Sequence, residues 1–407
     1  MSRIARLVSA LCLTCVIAAG CGGGDTSQSP EATPEYRTIT DMRGVEVQVP
    51  ADISRVVDLS DGFTAGIMTI LGEADKIVGL GSHCPQKVYT YDYEAIGDQS
   101  YTYADGVNPV LYLNPSFGDL PALTTYGQAT NYETLASLDP DVVILRVGSC
   151  YADDNSGDEE VLNRKIRTIE SLGIPLVLLY GPPSFEEPTV SGLTEEIRIV
   201  GQVFGKEDKA LEVASYLESV VQMIRDRTAG VSEGDKPQVL MFGLSPEARE
   251  GGGAGTAHGV DTIESYFLED IVNARNAFDG VGSFSVLSTE QVLALNPDVI
   301  ILPTAWGYHP PSEVYTAPYY QNLQELDAVK NRRVVALPWT PCNCAKRVEY
   351  PIEVMIMAKA CYPELFEDIK VHEWVLEFYQ NVYGVDEETA KGLRSAQWLD
   401  WTVEEDW

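Results

Sequence analysis

The feature that most constrains the fold is a repeat within the chain. Residues 133–145 read ETLASLDPDVVIL, and residues 290–302 read EQVLALNPDVIIL. Each copy predicts a short helix, a Pro-Asp turn and then an apolar run rich in β-branched residues. Such runs are typical of strands buried on both faces of a parallel sheet. Two copies in a similar order of elements predict two similar α/β lobes with parallel sheets.

The segments around the repeat fit this architecture. A hairpin is expected over residues 37–50, with Arg43 and Gly44 at its turn. Apolar side chains recur with a helical period over residues 193–227, which predicts a long rigid helix between the lobes, with a break near Gly201 and Gly205. Further short apolar runs predict strands at 56–59, 76–80 and 175–179 in the first lobe, and at 238–242 and 334–337 in the second.

The charge of the chain restricts its partners. Lys and Arg number 28 against 61 Asp and Glu, which gives a formal net charge of −33. Nucleic acids and anionic membrane surfaces repel such a protein, whereas cations, positively charged metal chelates and basic proteins do not. A hydrophobic content of 45% with 22% charged residues is that of a soluble globular protein.

The N-terminus predicts export and a lipid anchor. Arg3 and Arg6 precede an apolar stretch over residues 7–19, which is too short to span a bilayer. The following residues resemble a bacterial lipobox, with Ala18 where Leu is usual and Cys21 as the lipidated residue. We therefore expect a signal peptide over residues 1–20, a flexible tether over 21–35 and an extracytoplasmic, lipid-anchored protein. A plain signal peptide is the alternative.

No short catalytic motif is present. The sequence lacks Gly-x-Gly-x-x-Gly, a P-loop, His-Glu-x-x-His and a serine nucleophile elbow, and the Gly-rich run at 251–255 has neither phosphate-binding spacing. We therefore predict a binding protein without an intrinsic cofactor. An exported metal-dependent enzyme or redox protein that uses His and Cys side chains is the alternative.

Several segments together resemble class III substrate-binding proteins of ABC importers, which take up ferric siderophores, haem and cobalamin. The likeness covers about residues 36–400 and includes TITDMRGV at 38–45, RVVDLS at 55–60, IVG at 77–79 and both repeats. The resemblance implies two Rossmann-like lobes joined by a rigid helix, with the ligand in the cleft between them. It places the lobes at 36–186 and 234–407 and the connecting helix at 187–233.

The resemblance also implies a docking role for one residue in each repeat. In this family an acidic residue on each lobe contacts arginines of the permease, and Glu133 and Glu290 hold the matching positions. The expected partner is a permease dimer with its ATPase, met by a monomeric receptor. The alternative is that each Glu is favoured by the dipole of its helix, with Asn131 and Ser288 as N-caps.

Ligand-binding candidates follow the predicted strands, because ligands of open α/β sheets lie beyond the carboxyl ends of strands. Aromatic side chains suit a flat chelate, and arginines suit its carboxylates. His258 lies just after the Gly-rich run. The candidates are His83, Arg146, Tyr180, Arg249, Trp306, Tyr308, His309, Trp339 and Arg347.

The cysteines leave three interpretations open. Cys84 and Cys150 form a disulfide across neighbouring loops, or they belong to a metal site, or they are structural. Cys342 and Cys344 are too close in sequence for an unstrained mutual disulfide. Cys361 lies in an apolar helical segment and is expected in the core. The candidates for metal ligands are His83, Cys84, Cys150, His309, Cys342 and Cys344.

The expected ligand is a metal chelate, with an iron complex (ferric siderophore or haem) first and cobalamin as the alternative. Tyrosines cluster at 89–103, and a tyrosine phenolate is a known ligand of haem iron. Their alternation also fits one face of a strand, and we predict that the stretch is an insert over the mouth of the cleft.

Overall fold

The computed structural model describes residues 35–125, 128–148, 159–303, 310–341, 343 and 345–407. Within the chain, Glu35–Trp407 forms one compact unit. In these ranges no helix has both the length and the hydropathy needed to cross a bilayer. Predictions that lie outside the described residues concern the signal segment, Cys21 and its tether, Cys150, Trp306, Tyr308, His309, Cys342 and Cys344.

The strands are β1 Tyr36–Thr40, β2 Glu46–Pro50, β3 Val56–Leu59, β4 Ile77–Leu80, β5 Tyr89–Ala95, β6 Gln99–Gly106, β7 Val142–Val147, β8 Leu176–Tyr180, β9 Gln238–Gly243, β10 Gly255–Ala257, β11 Arg275–Asn276, β12 Ser285–Leu287, β13 Val299–Leu302 and β14 Val334–Ala336.

The helices are α1 Phe63–Leu71, α2 Pro109–Leu113, α3 Tyr132–Ser137, α4 Glu159–Ser171, α5 Ser191–Phe204, α6 Glu207–Thr228, α7 Pro246–Glu250, α8 Ile263–Tyr266, α9 Thr289–Leu295, α10 Pro311–Thr316, α11 Asp327–Lys330, α12 Tyr350–Cys361, α13 Val371–Tyr383, α14 Glu387–Ala396 and α15 Trp401–Glu404. A π-helical turn, Phe267–Ile271, continues α8.

The sheet of the first lobe has the order β4-β3-β7-β8, and all its strands are parallel. Every residue of β3 and β7 is buried, as expected for strands covered on both faces. The β1–β2 hairpin is antiparallel, and Gly44 adopts a positive φ of 75° at its turn. This part of the fold confirms the sequence prediction.

The sheet of the second lobe has the order β12-β10-β9-β13-β14, with β11 beside β9. Strands β9, β11, β13 and β14 are parallel, whereas β10 runs antiparallel to both of its neighbours, β9 and β12, so the parallel sheet predicted for this lobe contains one reversed strand. The Gly-rich run makes this edge possible, because a Cβ at Gly255 would lie 2.6 Å from the Gly243 carbonyl oxygen. These glycines allow two backbones to approach closely.

The two repeats adopt the same local structure in corresponding places. The first forms α3 and then β7, between β3 and β8. The second forms α9 and then β13, between β9 and β14. Each repeat therefore supplies an interior strand of its own sheet, as the sequence predicted.

The segment between the sheets is helical and is interrupted at Gly205, where the sequence predicted a break. Helix α5 ends at Phe204, Gly205 adopts a φ of 63°, and α6 begins at Glu207. A Cβ at Gly201 would lie 2.4 Å from the Ala210 Cβ, so the two helices touch just beside this turn. Helix α6 alone is about 33 Å long at 1.5 Å per residue, and it is the long connecting helix of the fold.

Both lobes share one hydrophobic core. The largest cluster of buried side chains joins strands of the first sheet, such as β7 through Ile144, to strands of the second, such as β9 through Met241. Helix α12 is buried over its whole length and belongs to the same cluster, as do buried residues of α5 and α6. A shared core disfavours independent movement of the two sheets.

The tyrosine-rich stretch forms an antiparallel hairpin, β5–β6, that packs against the second lobe. Tyr93 and Ala95 belong to the buried cluster around β9, β13 and β14. The Tyr93 hydroxyl lies 3.0 Å from the Ser312 hydroxyl, and the Trp398 indole N–H donates to the Ala104 carbonyl. The hairpin, inserted after β4 of the first sheet, is thus anchored in the second lobe.

Candidate functional site

A cavity of about 430 Å³ lies between the two lobes. Gly148 follows β7, Pro303 follows β13 and Leu337 follows β14, so the carboxyl ends of parallel strands border it. Pro183 and Phe185 line the side of the first lobe, after β8. The cavity therefore occupies the position at which open α/β sheets bind ligands.

A buried lysine between two carboxylates forms the polar floor of the cavity. Lys346 Nζ lies 2.8 Å from Glu264 Oε1 and 2.9 Å from Glu353 Oε2, and all three side chains are more than nine-tenths buried. Burial acts to raise the pKa of Glu264, but the charge of Lys346, with the His258 ring close by, outweighs burial and lowers that pKa. The same carboxylates overcome burial and raise the pKa of Lys346.

His258 lies beside this cluster and is 3% exposed. Its Nδ1 is 3.4 Å from Glu264 Oε2, which is within ion-pair distance, and its ring packs edge-on against Phe284. Among the described residues, neither ring nitrogen forms a hydrogen bond. The amide nitrogen of Asn343 donates to Glu353, and the Asn343 Oδ1 has no hydrogen-bond partner in the same residues.

Arg146 holds the loop that carries Lys346. Its guanidinium pairs with Glu196 of α5 at 2.5 and 2.9 Å and donates to the carbonyl oxygens of Ala345 and Lys346. Burial acts to raise the pKa of Glu196, and the Arg146 charge opposes that rise. The structure thus gives Arg146, predicted as a ligand contact, a positioning role across the lobes.

Arg347 is buried beneath the cleft rather than on the cavity wall. Its Nη2 donates to the Pro341 carbonyl at 2.5 Å, and Asp61 and Glu349 supply the nearby negative charges. Burial lowers the pKa of this guanidinium. A Cβ at Gly62 would lie 2.8 Å from Arg347 Nη1, so the glycine makes room for the arginine.

Two other predicted site residues, His83 and Cys84, lie away from the cavity. The exposed His83 contacts Gln86, with 3.1 Å from Nδ1 to Oε1. Cys84 is buried and disulfide-bonded, so it has no thiolate for a metal, and its pairing with Cys150 stays a prediction. In the described part of the chain, no three His, Cys, Asp or Glu side chains form a metal-binding group. Cys361 is buried, as predicted, and its thiol is free.

The described aromatic candidates, Trp339 and Tyr180, and the candidate Arg249 make packing contacts. Trp339 is buried, stacks on Trp398 and meets Tyr89 edge-on. Arg249 lies 4.1 Å above the Tyr319 ring centroid and donates to the Tyr320 hydroxyl. Tyr180 ends β8 and contacts Phe185, which lines the cavity, so it supports the wall from behind.

Sequence reasoning did not identify Glu264, Lys346 or Glu353. They lie on α8, in a loop and on α12, and no motif joins positions so far apart in the chain. The place of His258 just after the Gly-rich run was the one available signal. The run forms the turn into β10, and His258 follows that strand directly.

The two glutamates predicted to dock the permease are exposed and lie in the first turns of α3 and α9. Asn131 and Ser288 are the N-caps of these helices, and Ser288 forms a capping box with Gln291. Within the described ranges, neither Glu133 nor Glu290 has an ion-pair partner at 4 Å or less. Glu133 and Glu290 are the first residues of the two repeats and so hold corresponding positions.

Comparison with known proteins shows the family. The model of the family described as "Periplasmic binding protein" matches residues 60–340, which is more than half of the chain. A Bacillus subtilis protein named uncharacterized ABC transporter substrate-binding lipoprotein YvrC is 22% identical, over 90% of this chain and 100% of its own length.

Two further relatives are known by their ligands. The molybdate-binding protein MolA of Haemophilus influenzae is 25% identical over 85% of this chain and 91% of its own, and its molybdate-bound structure aligns with a TM-score of 0.62. The Helicobacter pylori protein CeuE with bound Ni(II) is 18% identical over 88% of this chain and 99% of its own, with a TM-score of 0.61.

These likenesses agree with the cavity between two α/β lobes and with the core that joins them. The family consists of solute-binding proteins, which excludes the alternative of an exported enzyme. The chain therefore belongs to the periplasmic binding protein family, as an extracytoplasmic substrate-binding protein of the ABC-transporter type.

Proposed function

We propose that this protein captures an iron complex, a ferric siderophore or haem, outside the cell and delivers it to an ABC permease with its ATPase. The observation that carries the proposal is the cavity of about 430 Å³ between the lobes, with its buried charged floor. Its size lies within the range of small-molecule sites, roughly 300–1,000 Å³. The relatives' named ligands, molybdate and Ni(II), support a ligand that contains a metal.

We propose further that Glu133 and Glu290 dock the permease. Each is exposed in the first turn of its helix, where no lysine or arginine of the described chain neutralises it. One carboxylate on each lobe lets a dimeric permease contact both lobes at once, and complementary charge fixes the register of the complex.

The membrane anchor belongs to the same proposal. A lipid on Cys21 would hold the receptor at the cell membrane, and the Bacillus relative is named as a lipoprotein. A single acyl chain binds membranes weakly, whereas two chains hold a protein stably. Mass spectrometry of the processed N-terminus would detect the expected diacylglycerol on Cys21, and a Cys21→Ala variant is expected to lose membrane association.

The test of the ligand is a titration of the full processed chain, in detergent, followed by its intrinsic tryptophan fluorescence. The panel contains ferric siderophores, haem and cobalamin. Saturable binding of an iron complex at submicromolar concentration is the expected result. Binding of cobalamin alone would replace the iron proposal with a corrinoid receptor, and no binding of any member would remove the metal-chelate proposal.

A further inference from the structure

The cavity wall carries buried acceptor atoms that no described residue satisfies. His258 lines the cavity, its Nδ1 lies towards Glu264, and its buried Nε2 forms no hydrogen bond within the described chain. Asn343 donates its amide N–H to Glu353, so its unpaired Oδ1 points away from that carboxylate. As a free base, Nε2 accepts a hydrogen bond or binds a metal, and Oδ1 only accepts.

The charges around these acceptors are predominantly negative. The described lining contains the carboxylates of Asp261, Glu264 and Glu353 against the single ammonium of Lys346. Lys346 is already shared between Glu264 and Glu353, so it has little charge to offer a ligand. Arg146 is likewise held by Glu196.

The segments that the structure does not describe do not reverse this excess of negative charge. Beyond the N-terminal 34 residues, these segments are 126–127, 149–158, 304–309, Cys342 and Cys344. None of them contains a Lys or an Arg. In sequence, segment 149–158 contains Asp153, Asp154 and Asp158. Wherever these segments lie, they supply no permanent cation to balance an anionic ligand.

We propose that the cleft selects a metal complex of net positive charge, which turns its metal or its hydrogen-bond donors towards His258 Nε2 and Asn343 Oδ1. This inference rests on the proposed receptor function and restricts its ligand class. An anion would meet uncompensated carboxylates in a partly desolvated site, and it would leave the buried acceptors unpaired. A cationic complex satisfies both the charge and the acceptors.

The sharpest test compares two ferric complexes of opposite charge. The first is a ferric trihydroxamate with a free ammonium group, which is a cation, and the second is a ferric tris-catecholate, which is an anion. Equilibrium dialysis of the full processed chain in detergent measures bound iron for each complex. Molybdate, measured as bound molybdenum, serves as an oxyanion probe. The expected result is binding of the cationic complex at least about tenfold more tightly than either anion.

Two variants locate the effect in the cleft. His258→Phe keeps a flat ring against Phe284 and removes both nitrogens, and it is expected to weaken the cationic complex at least about tenfold. Asp261→Asn keeps an oxygen for the Gly282 N–H and removes one charge at the rim, and it is expected to weaken that complex several-fold. Asp270→Asn, an exposed position outside the cavity, is the matched control and is expected to bind as the parent does.

The outcomes separate this inference from the proposed function. Equal or tighter binding of the tris-catecholate or molybdate would overturn the charge selection and leave the receptor standing. Full affinity in His258→Phe, with an unchanged thermal unfolding curve, would remove His258 from the site and contradict the inference. Binding of no probe would overturn both proposals.

Discussion

At the scale of residues, the aspartates of the two repeats make corresponding hydrogen bonds. Asp141 Oδ2 accepts from the backbone N–H groups of Ser54 and Arg55 at 2.7 and 2.9 Å, at the start of β3. Asp298 Oδ2 accepts from the Gln238 N–H at 2.8 Å, at the start of β9. Each aspartate therefore fixes the beginning of the strand beside its own. The repeated Pro-Asp turn is visible in the sequence, but the distant partner strand is not.

Asp58, at the centre of β3, predicts a pH dependence of stability. Burial raises its pKa from 3.8 to about 6. The folded state thus binds this proton more tightly than the unfolded state, so the stabilisation is complete below about pH 4 and is lost as the pH rises through about 6. Over that range the free energy of unfolding should fall by about 3 kcal/mol for this group, at ~1.4 kcal/mol per pKa unit.

Urea unfolding at a series of pH values measures the effect. Between about pH 4 and 7, the unfolding free energy of the parent is expected to fall relative to that of Asp58→Asn. The exposed Asp52→Asn is the control, and its difference from the parent should stay constant. A pH-independent difference for Asp58→Asn would show that the carboxyl titrates normally.

At the scale of elements, the sequence predicts what local patterns encode. The β1–β2 hairpin, the strands after each repeat and the caps of α3 and α9 depend on neighbouring residues, and they lie where expected. The α5–α6 break was visible as Gly201 and Gly205, but the close contact between the helices was not. The antiparallel β10 and the floor of the cavity depend on pairings between distant segments, which one sequence does not reveal.

The β5–β6 hairpin predicts a specific loss of stability. Glu313 is fully buried on α10, and it accepts hydrogen bonds from Tyr91 at 2.8 Å and Tyr319 at 2.5 Å. Tyr91→Phe removes one bond to a buried carboxylate and should lower the free energy of unfolding by about 2 kcal/mol. It should also expose the hairpin turn to limited proteolysis, because the hairpin is then held less firmly.

Tyr101→Phe is the matched control on the same hairpin. Among the described residues, its hydroxyl donates only to the exposed Gln99 side chain, at 3.2 Å, and the ring contact with Tyr93 survives the change. We expect parental stability and protease resistance for this variant. Equal behaviour of the two variants would mean that the Glu313 contact does not anchor the hairpin.

At the scale of the whole molecule, three connections between described residues hold the lobes together. Helices α5, α6 and α12 belong to one core, Arg146 spans the cleft to the loop of Lys346, and the β5–β6 hairpin packs on the second lobe. A receptor built in this way presents both lobes to a permease in a nearly fixed geometry. The spacing of Glu133 and Glu290 then becomes a property of the fold, because hinge bending changes it little.

This geometry leads to the prediction for transport. In cells that carry the cognate permease, Glu133→Lys combined with Glu290→Lys is expected to reduce uptake of radiolabelled ligand at least about tenfold, because the proposed docking pairs these two positions with arginines, and lysines there would repel them. Ligand affinity of the purified double variant should stay at the parental value, since both residues lie outside the cavity. Glu212→Lys with Glu364→Lys makes the same charge change at exposed positions elsewhere and should preserve uptake. Parental uptake in the first pair, or equal loss in both pairs, would show that these glutamates do not dock the permease.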